Sequence, residues 1–385
     1  MRIKKINKSG EKNMNSSDST PIVCNLKEIR LKKNITQTQL ADLVGVKRQA
    51  IYDMEIGRYL PNTSVAIRLA RILDCNVEDI FYEISQDSQR VVLADTHETT
   101  GPRVNVIKVR DTLYAYSLSG QNAMMEEMKP ADGLLEPGNQ KVTLLKPNEK
   151  IENTALLMGC DPAFSILGHH VNKNHTDGEL LCRFASSKKA LDILAAGQTH
   201  IAGTHMHTKG SIDGNIDLAR QSLKNINCLL VGFATFEEGL MVARGNPFDI
   251  RKPEDLARNK IRFVNREKGA ALRALFDDWL IKSNIPFCAI TGYHDTVMNH
   301  SQGAQKIIHG ICDAALGLRI VAETFDLGFV PVSHVRCDLV IPQDLLNHMS
   351  VKIVLDTLQN KNFRHELNSL PGYDSVCTGE VISQF

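Results

Sequence analysis

The clearest pattern in the chain lies near its start. In TQTQLADLVG, Leu40, Ala41 and Val44 recur at helical spacing behind Thr36, a good N-cap, and Gly45 can adopt the left-handed conformation that a helix C-cap needs. A helix therefore ends at Gly45. A second begins at about Lys47, with Ala50, Ile51 and Met54 on its buried side and Lys47, Arg48, Gln49 and Tyr52 near its exposed leading end. Two short helices joined by a tight turn, the second leading with basic and amide side chains, suit the DNA major groove.

The pattern then changes twice. From about residue 85 to 150 the runs VVLAD, RVNVIKVR, TLYAYSL and KVTLL read as short strands separated by the turn signals TTGP, LSGQN and EPGN, which predicts a β-rich connector. From about Ile151 to the end, strands alternate with helices: ALLMGCDPAFSIL, then ASSKKALDILAAGQTHIAG with a helix capped by Ser186 or Ser187 and ended by Gly197, then GLMVARGNP, IRFVN, KGAALRALFDDWLIKSN, GAQKIIHGICDAALGL and DLVIP. That alternation predicts an α/β domain with a largely parallel sheet over 151–385. Residues 1–23, rich in Lys, Asn and Ser, read as a flexible tail ahead of a helical unit over 24–84.

Composition narrows the class. With 385 residues the chain is long enough for two or three domains with separate cores. Hydrophobic residues at 43% and charged residues at 23% are ordinary for a soluble globular protein, and no run approaches the roughly 20 apolar residues that span a bilayer. MRIKKINKSG is basic, but no apolar signal core follows it, so a cytoplasmic protein without membrane contact is expected. Residues 1–81 hold 14 Lys and Arg against 9 Asp and Glu, while the rest hold 31 against 35, so the basic excess falls on the unit expected to meet phosphate. Nine cysteines without a CxxC pair read as reduced, mostly buried side chains.

Residues 26–81 resemble the lambda-repressor-like helix-turn-helix family of the xenobiotic-response-element type. The resemblance implies an all-α five-helix DNA-binding domain: LKEIRLKKN supplies the first helix, residues 36–57 the second and third, Thr63–Leu73 the fourth and NVEDIF a short fifth. In that family Gln at the start of the second helix holds a phosphate, a role that falls to Gln37, and the first residues of the third helix read base edges, which falls to Lys47, Arg48 and Gln49. Arg grips guanine and Gln adenine with paired bonds, whereas Lys47 suits a phosphate. Thr38, Tyr52 and Arg58 complete the expected DNA-facing set. Amphipathic helix pairs with a glycine between them also occur in proteins that never touch DNA.

Residues 155–382 resemble the periplasmic-binding-protein-like domain, the two-lobed α/β fold shared with molybdate receptors. The matching phrases are GCDPAF, AAGQTHIAG, EEGLMVARGNP, EDLARNKIRFVNREKGAALR, DAALGL and CDLVIP. Such folds gather strand-to-helix turns at a cleft, where backbone N–H groups and helix dipoles favour an anion. Three turns qualify here, making Asp161, Ser186, Ser187, Asn265, Arg266, Lys268 and Gly269 candidate ligand residues, with Arg273 one turn further on as a clamp. His205, after the strand HIAG, joins them. Plainer readings exist for each: Ser186, Ser187 and Asp161 as helix caps, and the three cations as solvent-facing side chains. At the last turn, where small or hydroxyl residues are common in the family, Ala270 and Ala271 follow Gly269, and the loss of hydroxyl donors weakens the case for a bare tetrahedral oxyanion.

Histidines crowd GHHVNKNH (His169, His170, His175) and THIAGTHMH (His200, His205, His207), yet no HExxH or Cys cluster accompanies them, and no metal or other cofactor is expected. The GxSxG, GxGxxG and GxxxxGK[ST] patterns are also missing, so no enzyme is expected. The expected function is a ligand-responsive transcriptional regulator, a homodimer on a double-stranded DNA operator, sensing a small anionic ligand. The resemblance implies molybdate, tungstate or a molybdenum-cofactor fragment. The competing reading is a small-molecule or molybdenum-cofactor handling protein whose helix-turn-helix is not its main activity.

Overall fold

The computed structural model describes residues 22–83, 88–94, 101–119, 128–138, 140–206, 214–258 and 261–385. They form two compact units, divided between Gln89 and Arg90. Most of the expected tail, residues 1–21, lies outside the described residues.

The first unit is built from α1 (Leu26–Lys32), α2 (Gln37–Val44), α3 (Arg48–Glu55), α4 (Thr63–Leu73) and α5 (Val77–Ile80). Local chemistry sets the ends of α2. Thr36 Oγ1 accepts from Gln39 N while Gln39 Oε1 accepts from Thr36 N, and Gly45 closes the helix at φ 75°. Asn62 caps α4 through its side chain. Leu26, Leu40, Ile51, Met54, Leu69 and Leu73 are fully buried in one core, whereas Ala50 is only partly buried. One feature escapes the all-helical expectation. β1 (Ile22–Cys24) pairs antiparallel with β2 (Phe81–Glu83), joining the two ends of the unit. Runs of three residues carry no readable period, so only the fold reveals that pairing.

The second unit begins with the expected strand-rich segment: β3 (Val92–Leu93), β4 (Arg103–Val109), β5 (Thr112–Ser117), β6 (Gly133–Leu135) and β7 (Lys141–Leu144). In the sheet they run in the order β7-β6-β4-β5-β3. Ile107, Val109 and Tyr116 of this sheet share a hydrophobic cluster with Leu156, Met158, Leu191 and Val340 of the α/β domain. Tyr116 also donates its hydroxyl to Gln198 O at 2.5 Å. The strands thus pair with each other and pack their back against the domain that follows.

That domain is built on β8 (Thr154–Gly159), β9 (Glu179–Phe184), β10 (Ile201–Thr204), β11 (Cys228–Val242), β12 (Phe263–Arg266), β13 (Thr296–Val297), β14 (Ala314–Leu318) and β15 (Gly328–Pro342), in the order β9-β8-β10-β15-β11-β14-β12-β13. The sheet is mixed, a correction to the largely parallel expectation. β8, β9 and β10 are parallel, as are β12, β13 and β14, but the 15-residue strands β11 and β15 run antiparallel to each other through both groups. The ends of β15 and β11 pair with β10 and β14 respectively, also antiparallel. Alternation along a sequence does not encode strand direction, because the connections that decide it are tertiary. The two crossing strands tie the lobes together, and their register shifts between Glu238 and Gly239.

Helices α6 (Phe164–Asn174), α7 (Ser187–Ala195), α8 (Ala271–Lys282) and α9 (His300–Ile308) follow β8, β9, β12 and β13. Gly159, at the end of β8, and Gly203, near the end of the neighbouring β10, leave room for the Phe164 ring, which lies where a Cβ on either would stand.

Candidate functional site

In the helical unit, Thr38, Lys47, Arg48, Gln49, Tyr52 and Arg58 are exposed. Gln49 Nε2 donates to Asp53 Oδ1 at 3.1 Å, one turn along α3, and Arg48 Nη2 lies 3.5 Å from Gln37 Oε1. Gln37 is half-buried, its amide nitrogen donating to Glu55 Oε2 at 2.8 Å, and Glu55 in turn pairs with Arg30. The start of α2 and the start of α3 are thereby tied to one buried carboxylate. This leaves a basic, amide-bearing helix end open to solvent, the form that a major-groove reader takes.

In the α/β domain the turns after β8, β9 and β10 meet in a buried polar cluster. Ser187 donates its hydroxyl to His205 O at 2.9 Å and accepts from His205 N at 3.1 Å, fixing the start of α7 to the end of β10. His205 Nε2 lies 3.2 Å from Glu238 Oε1, and its other face meets Cys160 Sγ at 3.6 Å from Nδ1. Burial opposes charge on His205, but Cys160 and the Glu238 carboxylate outweigh it and hold the imidazole well above its ordinary pKa. Asp161 is 4% exposed; its Oδ1 accepts from Tyr373 Oη at 2.6 Å and Ala163 N at 2.9 Å. At Asp161 burial dominates instead, raising the carboxyl to about 6.

The other lobe contributes Arg266 and His300. Arg266 is 2% exposed and directs Nη1 to the His300 ring at 2.9 Å, Nη2 to Met298 O at 3.1 Å, and both Nε and Nη2 to Glu267. Burial, then the neighbouring guanidinium, hold His300 well below its ordinary pKa, so it stays neutral. The Arg266 guanidinium also stands 6.0 Å from the ring centre of Phe184, on β9 of the other lobe.

The expected ligand residues fall into three groups. Asp161, Ser187, His205 and Arg266 come together. Asn265 and Arg273 are buried behind them: Asn265 Oδ1 accepts from Arg266 N, and Arg273 donates to Arg266 O at 2.8 Å and lies 3.6 Å from Asp277. Lys268 and Gly269 are exposed, Gly269 at φ 96°. Ser186 occupies the N-cap position of α7 without a side-chain capping bond, so the capping role read from the sequence is not made. Neither Arg266 nor Arg273 faces solvent, and protein groups take up their donors.

Glu238, His300, Tyr373 and Cys160 were not legible as site residues. The only available signal was a charged pair, Glu237–Glu238, inside the apolar run FATFEEGLMV. Of the histidines singled out, His170 pairs with Glu366 at 2.6 Å, the His200 ring meets that of His348 at a tilt, and His207 lies outside the described residues. Among the described residues no three His, Cys, Asp or Glu side chains are placed to hold a metal ion, and no helix is long and apolar enough to cross a membrane.

Beside the polar cluster opens a cavity of about 700 Å³. Its walls come from the Cys160–Asp161 turn, from β9, from the start of α9 and from Asn105 and Lys129 of the strand-rich segment.

Comparison with known proteins agrees with this division. A helix-turn-helix family matches residues 26–80 and a PBP superfamily domain matches residues 168–359. An HTH-type transcriptional regulator of Archaeoglobus fulgidus is 45% identical over 56 residues, covering 14% of this chain and 79% of its own. The protein YvgK of Bacillus subtilis is 28% identical over 227 residues, 59% of this chain and 73% of its own. Among solved structures, Peb3 from Campylobacter jejuni overlays 57% of this chain and 98% of its own at 15% identity and a TM-score of 0.38. The chain belongs to the helix-turn-helix family and carries, behind that DNA-binding domain, a two-lobed α/β domain of the PBP superfamily.

Proposed function

We propose that the protein is a ligand-responsive regulator that binds a specific DNA operator through its helix-turn-helix unit and a small molecule between the lobes of its second unit. One observation carries the reading. A recognition helix with Arg48, Gln49 and Tyr52 exposed stands on the same chain as a two-lobed domain in which the turn after β8 and the start of α9 line one cavity. Gln37, Thr38, Lys47 and Arg58 hold the phosphate backbone, while Arg48, Gln49 and Tyr52 face base edges. The protein acts in the cytoplasm as a homodimer, since palindromic half-sites need two readers.

The ligand is small and anionic, with molybdate, tungstate or a molybdenum-cofactor fragment as the candidates suggested by the resemblance of its second domain. Asp161, Ser187 and His205 form its seat, with backbone N–H groups in place of the internally paired Arg266 and Arg273. Because ligand and operator binding are linked, each changes the affinity for the other by the same factor. Selection of duplex sites from random DNA, followed by anisotropy titration, tests the reading. The expected product is a pseudo-palindrome with half-sites about 10 base pairs apart. Equal affinity for selected and random duplexes would overturn it.

A further inference from the structure

The cavity is large for a bare oxyanion: 700 Å³ is on the order of twenty times the share of liquid volume taken by one water, and lies in the range of organic-ligand pockets. Most charged groups on its walls are engaged by the protein. Lys129 donates to Cys182 O, Arg183 donates to Ser117 O, and Lys146 reaches both Asp132 and Glu179. Asp161 is different. Tyr373 and Ala163 both donate to its Oδ1, while its Oδ2 is buried with no hydrogen-bond partner among the described residues. An acceptor left in that condition is costly, and a donor on a bound molecule relieves the cost.

Across the cavity, from the other lobe, α9 begins. Asn299 Oδ1 takes the Gln302 N–H, and His300 and Ser301 line the wall at the positive end of a nine-residue helix. One wall therefore lacks a donor and the facing wall favours an anion.

We infer that the cavity takes a small organic acid bearing an amino or hydroxyl group, whose N–H or O–H donates to Asp161 Oδ2 and whose carboxylate lies at the start of α9. The inference rests on the reading of the second unit as a ligand seat and narrows its ligand from a bare oxyanion to an amino- or hydroxycarboxylate. A bare dianion such as molybdate or sulfate brings no donor and sets a like charge against Asp161.

Thermal-shift screening and calorimetry on the full chain test this with matched compounds: amino acids and 2-hydroxy acids such as lactate and malate, their counterparts without the donor such as propionate and succinate, and molybdate and sulfate. At least one donor-bearing acid should bind tenfold or more tighter than its counterpart, and Asp161→Asn should abolish that preference. The wild-type comparison stands whether or not the variant folds. Equal binding by donor-bearing and donor-free acids, or binding by the bare oxyanions alone, would overturn the inference while leaving the ligand seat intact. Binding by none of the compounds would overturn the inference, and the seat would then be judged by whether operator binding responds to small-molecule extract.

Discussion

Arg30 and Glu55 form a two-point ion pair, with Nε 2.6 Å from Oε1 and Nη2 3.2 Å from Oε2, their side chains 8% and 2% exposed. Gln37 donates to the same carboxylate, so α1, α2 and α3 share one buried anchor. Breaking a buried pair leaves a charge uncompensated, at a cost of about 3 to 5 kcal/mol. Glu55→Ala should therefore lower the melting of the helical unit and weaken DNA binding without changing base preference. Differential scanning calorimetry of the full chain checks the first point; an unshifted transition would mean that Arg30 finds water readily.

The exposed start of α3 makes a different prediction. Arg48→Ala and Gln49→Ala should each cost about 1 to 3 kcal/mol of operator binding and relax one base position. Gln37→Ala should weaken all sequences alike. Gln49 must release Asp53 to reach a base, so Asp53→Ala should leave base preference unchanged and cost less than Gln49→Ala. Binding measured against a panel of single-base operator variants separates these outcomes, and wild-type preference in both recognition-helix variants would remove α3 from the groove.

The shared core of strand segment and α/β domain sets the fragment boundaries. A fragment of residues 90–385 should melt cooperatively without the helical unit. One starting at about Leu144, just ahead of the α/β alternation, uncovers Leu156, Met158 and Leu191 and should aggregate. Light scattering and thermal melts of the two fragments decide between them. Equal behaviour would show that the strands are dispensable.

Asp161 predicts a pH dependence. Its carboxyl stands at about 6 in the fold against 3.8 ordinarily, so the native state holds the proton more tightly than the unfolded state. The native state is then penalised increasingly as pH rises from about 4 to about 6, by on the order of 3 kcal/mol at neutral pH. Asp161→Asn removes the penalty. Without ligand the variant should be more stable than wild type at about pH 7.5, and that gap should narrow by about half at about pH 5. Denaturant unfolding at the two pH values gives the comparison; a gap independent of pH would show that Asp161 is ionised at both.

The sequence by itself determined the parts whose physics is local. Thr36 and Gln39 close a capping box, Gly45 and Gly197 take the positive φ that ends a helix turn, and the period of Leu40, Ala41 and Val44 marks a buried face. Each depends on residues within a few positions of one another, so the recognition helix and the alternation of the second domain were readable. Tertiary structure decided what distant residues do to each other. Asp161 meets Tyr373 across 212 positions, Glu238 is drawn under His205 by a strand that crosses both lobes, and Arg266 is turned to His300 and Glu267. No period or spacing encodes such meetings, because they depend on the order and direction of strands in the sheet. For the same reason, cations that read as a clamp along the chain became a paired internal network, and the acceptor without a donor was visible only in the fold.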